Sequence, residues 1–527
     1  MASTSRRTFL TRTASGAAAL GLAGDGLGLF AGLPRVSAQE AALPKIVPLR
    51  AEIEPLVRLL EETPRDKLVE AVAGKIRSGT SYREVVAALL LAGVRNVEPR
   101  PSVGFKFHAV LAVNAAHQAA LSGPDTDRWL PIFWGLDYFK AAQADDQKER
   151  GWTMPPVNES GLPSASRARQ AFVDAMENWD EAGADTAIAA LARSDGLDDT
   201  FELLYRYGAR DFRSIGHKAI YVAGARRMLE VIGREHAEPV LRSLVYALLM
   251  HEGDNPAKRD GEPDRDGRKN VELAATLKAE WQDGKPSDVA VRDVQAAVRH
   301  VTSEELCQLI VEQLNRGISP DSIWDGLFTG SGELLMRQPG IVGLHTLTTT
   351  NALHYAYRTA ADEKTRRWLL LQNAAFLPRF RAAMHERGKV GDARIDQLEP
   401  MATEASGPEA VGEIFADISR DRTLASRKLL GYLQGMPNGK QDGPAAKGDL
   451  ASEAGRARQV MDAARVLVFL KGRDSHDYKF SSAVLEDYPA LSPAWRDRLL
   501  AASAFQLVGA GAKDNALVAR TREALKG

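Results

Sequence analysis

Histidine is the side chain whose placement in this sequence invites chemistry. His108 and His117 stand nine residues apart in GFKFHAVLAVNAAHQAA, and His345 and His354 repeat that spacing 237 residues later in GLHTLTTTNALHYAY. Near neutral pH an imidazole serves as a general base, a proton carrier or a metal ligand. Nine helical residues turn through about 900°, so the two members of each pair face opposite sides of one helix and cannot chelate a common ion. His108 and His345 each follow a glycine-containing turn at a helix start, where a side chain is placed to line a cleft. His117 and His354, each with an Asn three residues before it (Asn114, Asn351), share a face with that Asn and read equally as core histidines held by a neighbouring amide.

Two further stretches join them. ARDFRSIGHKAIYV sets His217 and Tyr221 on one helical face behind Asp211 and Arg213, as an acid–base pair or as a packed polar contact. RDSHDYKF sets His476 beside Asp477 and Lys479. His251, at the end of VYALLMHEGDN, is accounted for by the pull of a helix C-terminus on a cationic side chain. The candidate catalytic set is therefore His108, His217, His345 and His476, with Tyr221. Several neutral imidazoles from different helices suit iron, copper or zinc, and the sequence neither chooses among these nor demands a metal. A haem held by histidines from both halves of the chain is a weaker option. Cys307 is the one cysteine, which excludes an internal disulfide, a thiolate zinc cage and a covalent haem attachment. No G-x-G-x-x-G, Walker A, H-E-x-x-H or G-x-S-x-G pattern occurs, so no Rossmann-type nucleotide site is expected.

The elements that must carry these residues are helices. Apolar residues recur at three- and four-residue spacing in SLVYALLMH, TAIAALARS and ARQVMDAARVLVFL, and alternating β-branched runs are almost absent, so the expected fold is all-α. Polar, Gly- and Pro-containing stretches at 252–270 and 434–449 read as exposed loops. Slid upon itself, the chain matches at offsets of 237 to 239. Leu68 meets Leu306, Gly79 meets Gly317, Ser81 meets Ser319, His108 meets His345 and the RWL of 128–130 meets that of 367–369. This predicts an internal duplication into two similar helical halves, 40–295 and 296–527, with a cleft between them holding the histidines. The period is a whole domain rather than a short solenoid repeat.

The first 38 residues have the pattern of a twin-arginine signal peptide: Arg6 and Arg7, then Phe9 and Leu10, a short Gly-rich apolar run, and a small residue at Ala38. The expected partner is the twin-arginine export machinery, and the expected location is periplasmic or extracellular. That segment carries four Arg and one Asp against a whole-chain net charge of −1, so the remainder bears about −4. Such a balance gives no reason to bind nucleic acid. No later stretch reaches the apolar length of a membrane span, so no integral membrane segment is expected in the mature chain.

Three segments, KFHAVLAVNAAH, GLHTLTTTNALHYAY and SHDYKFSSAV, with SIGHKAIY as a fourth, resemble the questin oxidase-like family. The resemblance covers the helical body in scattered pieces. It implies an oxidoreductase of the Baeyer–Villiger type that opens aromatic ketone rings with oxygen and NADPH, and it maps the family's histidines onto His108, His345, His476 and His217. An export signal separates this chain from a cytoplasmic supply of NADPH. The expectation is thus an exported oxidoreductase acting on a small apolar or aromatic carbonyl compound. The alternative is a non-catalytic periplasmic binding or scaffold protein. Convergence distinguishes them: His108, His345 and His217 pointing into one water-accessible cavity favour catalysis, and each sealed by local partners favours the scaffold.

Overall fold

A computed structural model describes residues 53–437 and 450–527. The expected signal segment and most of the 434–449 stretch lie outside these residues. The described chain is all-α: it holds 22 α-helices, no β-strand, and one isolated bridge between Lys285 and Ile318. No helix among the described residues is long and apolar enough to cross a membrane.

The first eleven helices are α1 (Ile53–Glu62), α2 (Arg65–Arg77), α3 (Tyr82–Asn96), α4 (His108–Ser122), α5 (Trp129–Glu149), α6 (Ala165–Asn178), α7 (Glu181–Ser194), α8 (Leu197–Ala209), α9 (His217–Ile232), α10 (Ala237–Leu248) and α11 (Glu262–Ala275). The second eleven are α12 (Asp288–His300), α13 (Ser303–Asn315), α14 (Pro320–Arg337), α15 (Ile341–Thr359), α16 (Glu363–Glu386), α17 (Gly407–Ile418), α18 (Arg422–Leu433), α19 (Leu450–Lys471), α20 (Ser475–Asp487), α21 (Pro493–Ala502) and α22 (Ala516–Lys526).

Local sequence explains many of the starts. Ser81 caps α3 and Thr302 caps α13, each in a reciprocal capping box with a Glu three residues on. Ser319 caps α14 ahead of Pro320. Gly79 and Gly317, which precede α3 and α14, both have positive φ (102° and 88°), a conformation that strains residues with a Cβ. The 252–270 stretch corrects the loop expectation, because α11 begins inside it. Pro263 in the first turn, with Glu262 and Asp264 beside it, is a helix-start signal that outweighs the surrounding polarity. Trp368 Nε1 donates to the Gly267 carbonyl at 3.0 Å and Asn270 donates to Gln372 at 2.8 Å, so α11 is docked on α16.

One large core runs through nearly every helix, with a smaller cluster around Trp134, Phe469 and Tyr478. Among the helices buried almost all round are α4, from His108 to Val113, and α15, from Val342 to Ala356. A helix apolar on every side must lie at the centre of its domain. Against these two pack α9 and α20, each of which touches both. Other helices interlock away from this centre. α11 lies on α13, and α22 lies on α2, where Arg520 pairs with Glu70 at 2.6 Å.

Candidate metal centre

His108, His217, His345 and His476 meet at one point. Each offers a ring nitrogen, and these four atoms all lie within 4.8 Å of one another. They come from four helices, α4, α9, α15 and α20, and each sits in the first turn or so of its helix. His217 is central: its Nε2 lies 2.8 Å from His108 Nε2 and 2.9 Å from His345 Nε2. The His476 ring centroid is 4.6 Å from that of His108 and 5.2 Å from that of His345. Three of the four residues are buried, and the His476 side chain is partly open to solvent.

Tautomers follow from the outer partners. His108 Nδ1 lies 2.9 Å from the Phe105 carbonyl, His217 Nδ1 lies 2.5 Å from the Ser214 carbonyl, and His345 Nδ1 lies 2.6 Å from the Ile341 carbonyl. A carbonyl oxygen can only accept, so each Nδ1 carries the hydrogen and donates it. His476 Nδ1 lies 2.6 Å from the Asp474 carboxylate, which fixes the same tautomer. Its Nε2 is buried with no hydrogen-bond partner. All four Nε2 lone pairs therefore face one another. At 2.8–2.9 Å with no hydrogen between them, such lone pairs repel unless a cation sits among them. A second proton on His108, His217 or His345 is disfavoured, since burial, reinforced by the nearby charge of Lys479, holds these three rings well below the usual imidazole range. Outer hydrogen bonds from Nδ1 to carbonyls and a carboxylate are the arrangement that orients metal-ligating imidazoles.

The turns that present these rings are strained. Four non-glycine residues in the described chain have positive φ, and three of them lie just before ligands: Phe105 (51°) before His108, and Ser214 (51°) and Ile215 (44°) before His217. Each costs roughly 1–2 kcal/mol that the surrounding packing must offset. Phe105 and Ser214 are the residues whose carbonyls take the Nδ1 hydrogens, so the strained backbone is also what aims the rings. Gly104 closes one side of the cluster: a Cβ there would lie 3.3 Å from His217 Cε1 and 3.6 Å from His108 Cε1. Gly216, at φ 80°, packs so closely that a Cβ would fall 2.1 Å from Thr349 Oγ1.

Tyr221 does not join the cluster. Its hydroxyl donates to Ser243 Oγ at 3.0 Å and its ring meets Phe107 edge-on, so it is the packed polar contact rather than half of an acid–base pair with His217. His117 is buried with Nδ1 3.0 Å from the Tyr82 hydroxyl, and His354 lies against Trp324 and Phe328. Asn351 Nδ2 donates to Glu486 and Asp487 on α20.

Sequence reasoning passed over Asp474, whose carboxylate both caps α20 and takes the His476 Nδ1 hydrogen. It noted Lys479 without a role. Lys479 lies one turn beyond His476 and is 5 % exposed, its Nζ buried without a hydrogen-bond partner. Burial pulls its ammonium down to about 7. No family model, curated protein or solved structure matches this chain.

Proposed function

We propose that this chain is an exported metalloprotein whose four-histidine centre, loaded with iron or copper, serves an oxidoreductase acting on an apolar or aromatic carbonyl compound. The observation that carries the metal half of this reading is the convergence of four Nε2 lone pairs with every Nδ1 hydrogen already donated outward. Four neutral imidazoles with no thiolate suit iron, copper or zinc, and the first two supply electron transfer. The redox half draws on the questin oxidase-like resemblance, because the four histidines to which that resemblance points are the four that meet. In the chemistry it implies, a ketone, dioxygen and a two-electron donor with two protons give an ester and water. One oxygen atom enters between the carbonyl carbon and its neighbour; the other leaves as water. The twin-arginine pattern supports the export half, since that route carries chains already folded and so suits one that takes up a bound group before crossing.

The same reading takes the chain as an internal duplication. Supporting it, Gly79 and Gly317 share a positive φ, Ser81 and Ser319 both cap the helix that follows, and α9 packs on α15 much as α20 packs on α4.

Metal analysis and a visible spectrum of the purified protein, beside a His108→Ala/His345→Ala variant, test the proposal. One iron or copper per chain, lost in the variant, is the expected result. A metal-free wild-type protein overturns it, and stoichiometric zinc would keep the centre and remove the redox role. A second reading, a non-catalytic scaffold with a structural ion, is favoured by one observation: four protein ligands is the count a closed structural site uses.

A further inference from the structure

The ligand set is electrically incomplete. Four neutral imidazoles leave both charges of a divalent cation uncompensated, and the carboxylate that touches the tetrad, Asp474, lies on the outer nitrogen of His476. A buried net charge of that size is costly without a counter-ion. Next to this cation the fold places a second cationic side chain: Lys479 lies three residues beyond His476, on the same face of α20. His476 turns that face of α20 toward the other three rings, and α20 packs on both α4 and α15. The Lys479 Nζ is buried without a partner. Three more buried groups lack partners on the helix that bears His345: the hydroxyls of Thr348, Thr349 and Thr350, of which the first two, three and four residues on, share the face of His345. The Thr349 hydroxyl sits against Gly216, in the turn that carries His217. Buried donors without acceptors are rare in native proteins and call for an occupant.

We propose that the centre takes its metal together with a small monoanion, which occupies an open coordination position and is held by the Lys479 ammonium and the hydroxyl groups of Thr348 and Thr349. This rests on the four-histidine reading and deepens it. A metal with a fifth, exchangeable ligand is a reactive centre, whereas the scaffold reading requires a closed one. At rest the position would take hydroxide from a water molecule whose proton passes to solvent. Lys479 acts here as a positioning residue, since it touches the anion and not the metal.

Azide is the probe. The full chain loaded with Cu²⁺, its occupancy checked by metal analysis, is titrated with azide while the charge-transfer band is followed, for wild type, Lys479→Met and Lys479→Arg. Wild type is expected to develop the band and saturate. Lys479→Met is expected to keep its copper and bind azide at least about tenfold more weakly, as the loss of one charge-assisted hydrogen bond implies. Lys479→Arg, which keeps the cation, should fall between the two. A fully loaded wild type with no azide band overturns the proposal while leaving the four-histidine site standing. So does a Lys479→Met protein whose azide affinity lies within twofold of wild type, or one that loses its copper and so reveals a structural lysine. If wild type takes up no metal, the underlying site fails first and the anion with it. Should Lys479→Met fail to fold by circular dichroism, Lys479→Gln, with a donor but no charge, carries the same expectation.

Discussion

Asp474 holds one carboxylate in two roles, and the roles can be separated. As the cap of α20 it accepts from the His476 backbone N–H at 2.8 Å, and as outer partner of the ring it accepts from Nδ1 at 2.6 Å. The hydrogen bond from His476 holds its pKa well below the usual carboxylate range. Asn caps helices as well as Asp does but brings no charge to the imidazole. Asp474→Asn should therefore leave helix content unchanged and weaken metal binding by about 10–100-fold, measured by competition with a chromophoric chelator. His217 and His117 make a second contrast. His217→Ala removes the ring that contacts two others, so metal content should collapse. His117→Ala, which leaves the Tyr82 hydroxyl unpaired, should keep its metal and lose about 1–3 kcal/mol of stability in urea unfolding. Equal metal content in the two variants would sink the four-histidine centre. The sequence made His108 and His345 legible because each follows a glycine turn at a helix start. Asp474 stood two residues before His476, near enough to cap the helix and orient the ring, but nothing in the sequence marked that ring as one of four until α20 meets α4 and α15.

At the scale of the element, the turns before the ligands do what the helices alone cannot: they set the angle of each ring. Gly216→Ala would impose a Cβ at φ 80° and press it into Thr349. The conformational and steric penalties together predict a loss of about 3 kcal/mol, with metal affinity falling alongside it. Gly104→Ala is the milder test: a contact at 3.3 Å asks His217 to move by a few tenths of an ångström, so reduced affinity with near-normal stability is expected. Normal affinity in both variants would mean that the turns do not aim the rings. Helix periodicity in SLVYALLMH and TAIAALARS carried the fold class, and Ser81 and Ser319 announced their helices. Residues 252–270 misled because polarity was weighed above the start signal at Glu262–Asp264. The strain at Phe105, Ser214 and Ile215 was out of reach, because nothing in those residue types asks for positive φ.

At the scale of the molecule, burial of neutral imidazoles ties stability to pH. In the metal-free protein burial holds His108, His217 and His345 well below their ordinary range and His117 down to about 4. The unfolded chain takes up these protons near pH 6.5 and the folded chain does not. Stability is thus complete above about pH 6.5 and falls below it, by about 1.4 kcal/mol per pH unit for each histidine. Urea midpoints that stay level from about pH 7.5 to about pH 5.5 would contradict the burial of these rings. Bound metal should steepen this acid sensitivity, because protons compete with it for Nε2, and at a hundredfold excess over Kd it should add about 2.7 kcal/mol. The repeated HAVLAVNAAH and HTLTTTNALH segments allowed the sequence to be read as two halves. It also placed the four rings in a cleft between those halves, but could not convey that α9 would pack on α15 and α20 on α4 to close it.

The positions of the four histidines along the chain have a consequence for timing. Residues 108, 217, 345 and 476 are spread so widely that no pair can be joined until more than a hundred residues separate them, and the last arrives on α20, close to the C-terminus. During synthesis the growing polypeptide offers an ion at most three of the four rings until its final helices emerge. A nascent or truncated chain would hold a cation loosely, and a finished one tightly. Occupancy would then report that α20 has joined α4, α9 and α15.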